Sequence, residues 1–208
     1  MEEIVRKREL EIFLAKIKPH PQPKLILEQY TTPPSLAANI LHTAAYTFND
    51  IICKSICDLG CGSGMFALGA AWLGACRVVA VDIDKLAILT AKSNMEKLGV
   101  DVELIVGDID VLTGKFDTIL QNPPFGVRKR GADIRFLRKA LSLSKVVYTI
   151  HKGGWKNRRF IEGIVVKDIG GRVTNIFEAE LSIPYTFNFH KKPKYRVKVD
   201  IYRIVKDG

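Results

Sequence analysis

No Cys-x2-Cys pair occurs in this chain. Its four cysteines are Cys53, Cys57, Cys61 and Cys76; Cys57 falls on an expected strand and Cys61 in the turn after it, so their spacing does not converge on a metal. No metal is expected, and the four read as small buried hydrophobes in a reducing, cytoplasmic setting. A secretory leader is not expected either, because the first eight residues are charged and hold no apolar core. One uncharged run, residues 59–76, reaches the length of a membrane span. It contains Gly60, Gly62, Gly64, Gly69 and Gly74 and opens on a glycine loop, so it reads as a loop and a buried helix. Internal repeats and low-complexity segments are absent.

Acidic residues are scarce in one part only. Residues 1–126 hold 12 Lys and Arg against 15 Asp and Glu, whereas residues 127–208 hold 20 against 7. The excess gathers in three clusters: Arg128, Lys129 and Arg130 with Arg135, Arg138 and Lys139; Lys152, Lys156, Arg158 and Arg159; and Lys191 and Lys192 with Lys194, Arg196 and Lys198. Clustered cations of this kind suit a polyanion, whose counterions they displace.

With 208 residues and 47 % hydrophobic content, the chain has the size of one α/β domain. Residues 3–17 carry Ile4, Leu10, Phe13, Leu14 and Ile17 at helical spacing, and Pro19, Pro21 and Pro23 end that helix. Thr31-Thr32-Pro33-Pro34 starts a second helix that runs to about Tyr46. Strands and helices then alternate. Strands are expected at Ser55–Leu59, 77–81, 102–106, 117–120 and 145–150. Helices are expected at 63–73, Lys85–Leu98, 134–143 and from 155, the last with an open end because of Gly163. Two β-rich runs, 172–183 and 194–205, close the chain as a hairpin. The alternation argues a mostly parallel twisted sheet with helices on both faces and an antiparallel edge. Residues 1–48 read as an N-terminal helical cap and 49–208 as the α/β core.

Chemistry-bearing residues collect at strand ends. Asp58-Leu59-Gly60-Cys61-Gly62-Ser63-Gly64 joins the first strand to a helix, where glycines permit a tight turn and close approach of a ligand. Position 65 is Met, where a dinucleotide fingerprint wants Gly or Ala, so a pyrophosphate is the weaker option. The second strand ends Asp82-Ile83-Asp84, and an acid there suits ribose hydroxyls. The third ends Gly107-Asp108-Ile109, a carboxylate and an apolar group suited to the edge and face of an adenine. Asp82, Asp84 and Asp108 also fit as helix N-caps.

The fourth strand ends in Asn122-Pro123-Pro124-Phe125. The Asn122 amide oxygen and the Pro123 carbonyl suit the two N–H bonds of a planar amine. Accepting both concentrates a delocalised lone pair on nitrogen. The prolines stiffen the loop, and Phe125 supplies a ring for stacking.

The glycine loop, the acidic second tip and this tetrad resemble the class I S-adenosylmethionine-dependent methyltransferases, a Rossmann-like fold. The resemblance narrows with Glu28-Gln29-Tyr30-Thr31-Thr32, Tyr148-Thr149-Ile150-His151-Lys152 and Tyr185-x-Phe187-x-Phe189-His190-Lys191-Lys192. With these the chain is similar to the methyltransferase-like protein 5 family, which methylates adenine N6 in small-subunit ribosomal RNA.

That resemblance implies S-adenosyl-L-methionine as cofactor. Residues matching Gln29 and Thr32 close over it, and those matching Gly60, Asp82, Asp108 and Ile109 bind it. Asp58, Gly62, Ser63, Gly64, Ile83 and Asn122, at the same strand tips, are expected to bind it with them. It makes Asn122, Pro123, Pro124 and Phe125 the catalytic group. It makes RNA the polyanion; the basic clusters offer Arg128, Lys129, Arg130, Lys152, His190, Lys191 and Lys192 as its contacts. By their basic contexts His151 or His190 reads as a further contact or as a partly exposed histidine at a strand end, and Trp155 as a base-stacking ring or as core packing. A small zinc-binding activator protein along a sheet edge is implied by the same analogy; a membrane span is not expected, from the glycines of residues 59–76. The chain departs from the family's common residues at Ser63 and Val127. The tetrad alone leaves adenine N6, cytosine N4, guanine N2 or a glutamine side-chain amide open as acceptor; a protein glutamine amide or DNA adenine is the main rival, and a non-catalytic RNA-binding module is the remaining alternative.

Overall fold

In a computed structural model of the chain, residues 4–126, 128, 130–184 and 194–206 are described. The lead helix α1 (Lys7–Leu14) begins later than its periodicity suggests. Glu9 reaches back to accept from the Arg6 backbone N–H at 3.1 Å, which starts the helix there and leaves Ile4 exposed. Leu10, Phe13, Leu14 and Ile17 do form one buried face.

Helix α2 (Pro34–His42) opens on Pro34, whose missing N–H is no loss in a first turn, and ends in a widened turn through Thr47. The core then runs β1 (Ser55–Leu59), α3 (Met65–Trp72), β2 (Arg77–Asp82), α4 (Lys85–Leu98), β3 (Glu103–Val106) and β4 (Phe116–Gln121). It continues with α5 (Ala132–Leu143), β5 (Ser144–Lys152), α6 (Trp155–Ile164), β6 (Gly171–Pro184) and β7 (Lys194–Lys206). Gly99 closes α4 at φ +67°, and α6 passes through Gly163 into a wide turn ended by Gly170.

The seven strands lie in the order β3-β2-β1-β4-β5-β7-β6, with β1 to β5 parallel and the terminal hairpin antiparallel. Side chains alternate between two apolar layers, as the strand period demands. Ile56 and Leu120 face α1, α2 and α3, whereas Leu59 and Ile119 face α5 and α6. Residues of α1 and α2 belong to the first layer. Phe13 stacks on Trp72 at 4.6 Å, and a Cβ on Gly69 would sit 2.4 Å from Leu41 and 3.0 Å from Leu14.

The sheet order reverses between β1 and β4. That switch point is where parallel sheets leave a crevice beyond their strand ends.

Candidate active site

A cavity of about 500 Å³ fills this crevice. Its floor is the loop after β1, where Gly60 holds φ +71° and a Cβ would meet the Phe136 ring at 3.1 Å. Gly60, Gly62 and Ser63 line the cavity, and Gly64 does not. Gly64 turns the chain into α3 at φ +91° and packs against Leu68 and Ala91, so its place is beneath the loop.

Asp58 lines the same floor at 1 % exposure and accepts from the Ala67 N–H at 3.0 Å. Burial raises its carboxyl to about 7, against the pull of that hydrogen bond. Asp82 stands next to it and accepts from the backbone N–H groups of Gly62 at 2.9 Å and Asp84 at 2.8 Å. Burial raises its pKa too. Asp84 caps α4, and Asp108 caps the short turn Ile109–Val111. Asp82 caps no helix, and it faces the cavity with Ile83, Asp108 and Ile109.

The opposite wall is the segment from Pro19 to Thr32. Asn94 of α4 ties its start to the floor, donating to the Lys18 carbonyl at 3.0 Å and the Ser63 carbonyl at 3.1 Å. Asp84 fastens its middle. The Gln29 amide donates to that carboxylate at 3.1 Å, the Lys24 ammonium lies at 3.1 Å and His20 Nε2 at 3.3 Å. Burial alone would raise the Asp84 pKa, but the hydrogen bonds from Gln29 and Lys24 hold it at about 2.

Thr32, 6 % exposed, completes the wall and meets the tetrad. Asn122 Nδ2 donates to Thr32 Oγ1 at 3.0 Å. With its nitrogen so committed, the amide turns its oxygen the other way, and Oδ1 is buried without a partner. A buried acceptor held in one orientation is suited to an incoming N–H. Asn122 and Pro124 line the cavity; Pro123 is buried behind them. The half-buried Phe125 ring lies off the wall, tilted against Tyr30 at 5.4 Å.

Several basic residues serve the protein rather than a ligand. Arg135, read from sequence as part of a basic cluster, lines the cavity and closes on Asp108 and Asp110. Arg138 pairs with Asp168 at 2.6 Å, Arg158 with Asp200 and Glu178, and Arg196 with Glu180 at 3.6 Å. Arg128, Arg130 and Lys152 are exposed, whereas Lys129, His190, Lys191 and Lys192 lie outside the described residues.

His151 is not a surface contact. It is 1 % exposed, bonds Thr149 Oγ1 at 3.0 Å and lies 3.6 Å from the Asp133 carboxylate. Cys57 and Cys61 are buried as expected, but Cys53 and Cys76 are exposed. Among the described residues no group of three or more His, Cys, Asp or Glu is placed to hold a metal. Among them also, no helix is long and apolar enough to cross a membrane.

Sequence reasoning missed His20, Tyr30, Arg135 and Phe136 as wall residues. The closely spaced Pro19, Pro21 and Pro23 signalled an extended segment there, but not which strand tips it would cover.

Comparison with known proteins adds relatives along the whole chain. The family model of the ribosomal protein L11 methyltransferases matches residues 38–123. An uncharacterised protein of Methanocaldococcus jannaschii is 41 % identical over 99 % of this chain and 96 % of its own length. The rRNA N(6)-adenosine-methyltransferase METTL5 of Danio rerio is 34 % identical over 94 % of this chain and 97 % of its own. A crystal structure from Pyrococcus horikoshii, described provisionally as an RNA methyltransferase, superposes with a TM-score of 0.89 at 39 % identity. It covers 98 % of this chain and 99 % of that one.

Proposed function

We infer the activity from one premise: the chain belongs to the methyltransferase-like protein 5 family, whose members in several animals are named rRNA N(6)-adenosine-methyltransferases. On that premise it transfers a methyl group to N6 of an adenine in small-subunit ribosomal RNA, acting in the cytoplasm. One observation carries the reading. Asn122 Oδ1 is a buried acceptor without a partner, fixed in direction by Thr32, at the mouth of a cavity floored by a glycine loop.

The cavity suits S-adenosyl-L-methionine, which when bound supplies a methyl group made electrophilic by its sulfonium. Gly60, Gly62 and Ser63 allow the close approach such a ligand needs, and a Cβ at Gly60 would crowd Phe136. Asp58 offers a buried carboxylate to its ammonium group. Asp82 and Ile83 suit its ribose, and Asp108 and Ile109 its adenine. Gln29 and Thr32 belong to the wall that covers it, so residues 1–48 act as the cap of the 49–208 core.

On the substrate side, Asn122 Oδ1 and the Pro123 carbonyl accept the two N6–H bonds. That interaction draws the lone pair out of the ring and onto nitrogen. Methylation replaces one N6 proton, which is released to solvent. Pro124 keeps the loop stiff, and Phe125 swings its ring from Tyr30 onto the base. The exposed Arg128, Arg130 and Lys152 meet phosphates, as do Lys129, His190, Lys191 and Lys192. The free edge of β3, with Val106 and Val111 exposed beside it, suits the strand pairing expected of a zinc-binding activator protein.

Transfer of labelled methyl to separated ribosomal RNA, DNA and protein fractions, followed by nucleoside analysis, tests the acceptor. The expected product is N6-methyladenosine in ribosomal RNA. Label in a protein glutamine or in DNA adenine would move the acceptor. No label anywhere with RNA binding intact would leave a binding module.

A further inference from the structure

Helix α6 leaves the end of β5, the strand paired in parallel with β4, whose tip carries Asn122. Its first turn therefore stands on the same edge of the sheet as the cavity. The first residue of that turn is Trp155, which is 65 % exposed. The other tryptophan, Trp72, is stacked on Phe13 in the apolar layer. A tryptophan left in water at the rim of a site is more informative than one in the core.

Trp155 does not stand alone. At about 100° per residue, Trp155, Arg159, Lys156 and Phe160 fall within an arc of roughly 140° on the helix. Phe160 is 56 % exposed, and Lys156 and Arg159 are exposed as well. The Lys156 ammonium lies 5.7 Å from the Trp155 ring centroid. On the far side of the helix, Ile161 and Val165 are buried. Arg158 pins the helix to the hairpin, donating to Asp200 at 2.7 and 2.8 Å and to Glu178 at 2.6 Å. The outer face is thus a rigid surface on which two cations lie between two aromatic rings, and Lys152 stands just before it.

We propose that this face of α6 is a stacking platform for single-stranded RNA beside the target adenine, with the Trp155 ring carrying one unpaired base and Lys156 and Arg159 meeting its phosphates. Rings and cations together match a single-stranded nucleic acid, which presents base faces and phosphates in alternation. An acidic peptide would use the cations and leave the rings bare. The platform rests on the RNA reading above, but it predicts a binding signal that needs no turnover.

The test uses the full chain with Trp72→Phe, which leaves Trp155 as the sole indole. Its emission should quench in a saturable way as short single-stranded oligoadenylate is added. Trp155→Ala in the native background should weaken that RNA by about 5- to 150-fold, the range of one lost base stack, and raise KM while kcat holds. Trp155→Tyr should restore most of the affinity. The slope of log affinity against log salt should be unchanged by Trp155→Ala and shallower in the Lys156→Ala, Arg159→Ala double variant. An unquenched indole, or Trp155→Ala binding like the native chain, overturns the platform, as would quenching by an acidic peptide but not by RNA. Ribosomal RNA methylated by Trp155→Ala with the native KM refutes this inference alone. Quenching without methyl transfer to any RNA refutes the acceptor assignment alone.

Discussion

Replacing Thr32 by Val isolates the orientation of the Asn122 amide. Valine keeps the branched shape and exchanges the hydroxyl for a methyl, so the wall keeps its form. What is lost is the 3.0 Å acceptor for Asn122 Nδ2. A buried donor stripped of its partner loses about 1–3 kcal/mol, and the amide is then free to turn its oxygen away from the substrate. At about 1.4 kcal/mol per factor of ten, kcat should fall about 10- to 100-fold. Cofactor affinity, read by calorimetry, should stay within a few-fold. Melting should drop by about 2–12 °C, since about 1 kcal/mol shifts a domain of this size by roughly 2–4 °C. Thr32→Ser, which returns the hydroxyl, should recover most of the rate. A folded Thr32→Val enzyme turning over within twofold of the native rate would refute the claim that Thr32 aims the amide.

Asn122→Ala should abolish methyl transfer while cofactor affinity stays within a few-fold; retained activity in the labelled-methyl assay would remove Asn122 from the reaction. Asp58, raised by burial to about 7, binds a proton in the folded chain that it has lost in the unfolded one, so its contribution to stability is full below about pH 4 and disappears as pH rises toward 7. Melting curves across that window should therefore fall more steeply for the native, cofactor-free chain than for Asp58→Asn, and identical slopes would contradict the raised value. Gly69→Ala should destabilise by about 1–3 kcal/mol, because the added Cβ would lie 2.4 Å from Leu41 Cδ1. An unchanged denaturant midpoint would mean that the helices part at no penalty.

The sheet was legible because its signals are local. The runs at Ser55–Leu59 and Lys85–Leu98 are bounded by glycines or acids at their ends, and period and punctuation agree. The tetrad and the glycine loop were legible for the same reason: strand tips converge in any parallel sheet, so residues at successive tips become neighbours. The Pro19 to Thr32 wall has no such period, and its contact with Asp84 links positions more than fifty residues apart. Arg135 illustrates the limit of charge counting, since its carboxylates come from the β3 turn, outside its own cluster. His151 sat in a basic stretch, and only its strand register turned it inward beside Tyr202.

Asp84 begins α4 through its bond to the Leu86 N–H and also holds Gln29 and Lys24. Serine, threonine or asparagine would start the helix about as well. None of them offers a full negative charge to Lys24 or a second oxygen to Gln29. Among descendants of one ancestral sequence, position 84 therefore has far less latitude than an ordinary cap. A lineage that loses this carboxylate should have rebuilt positions 24 and 29 at the same time, and that paired change would be written in its genes even where the helix itself looks untouched.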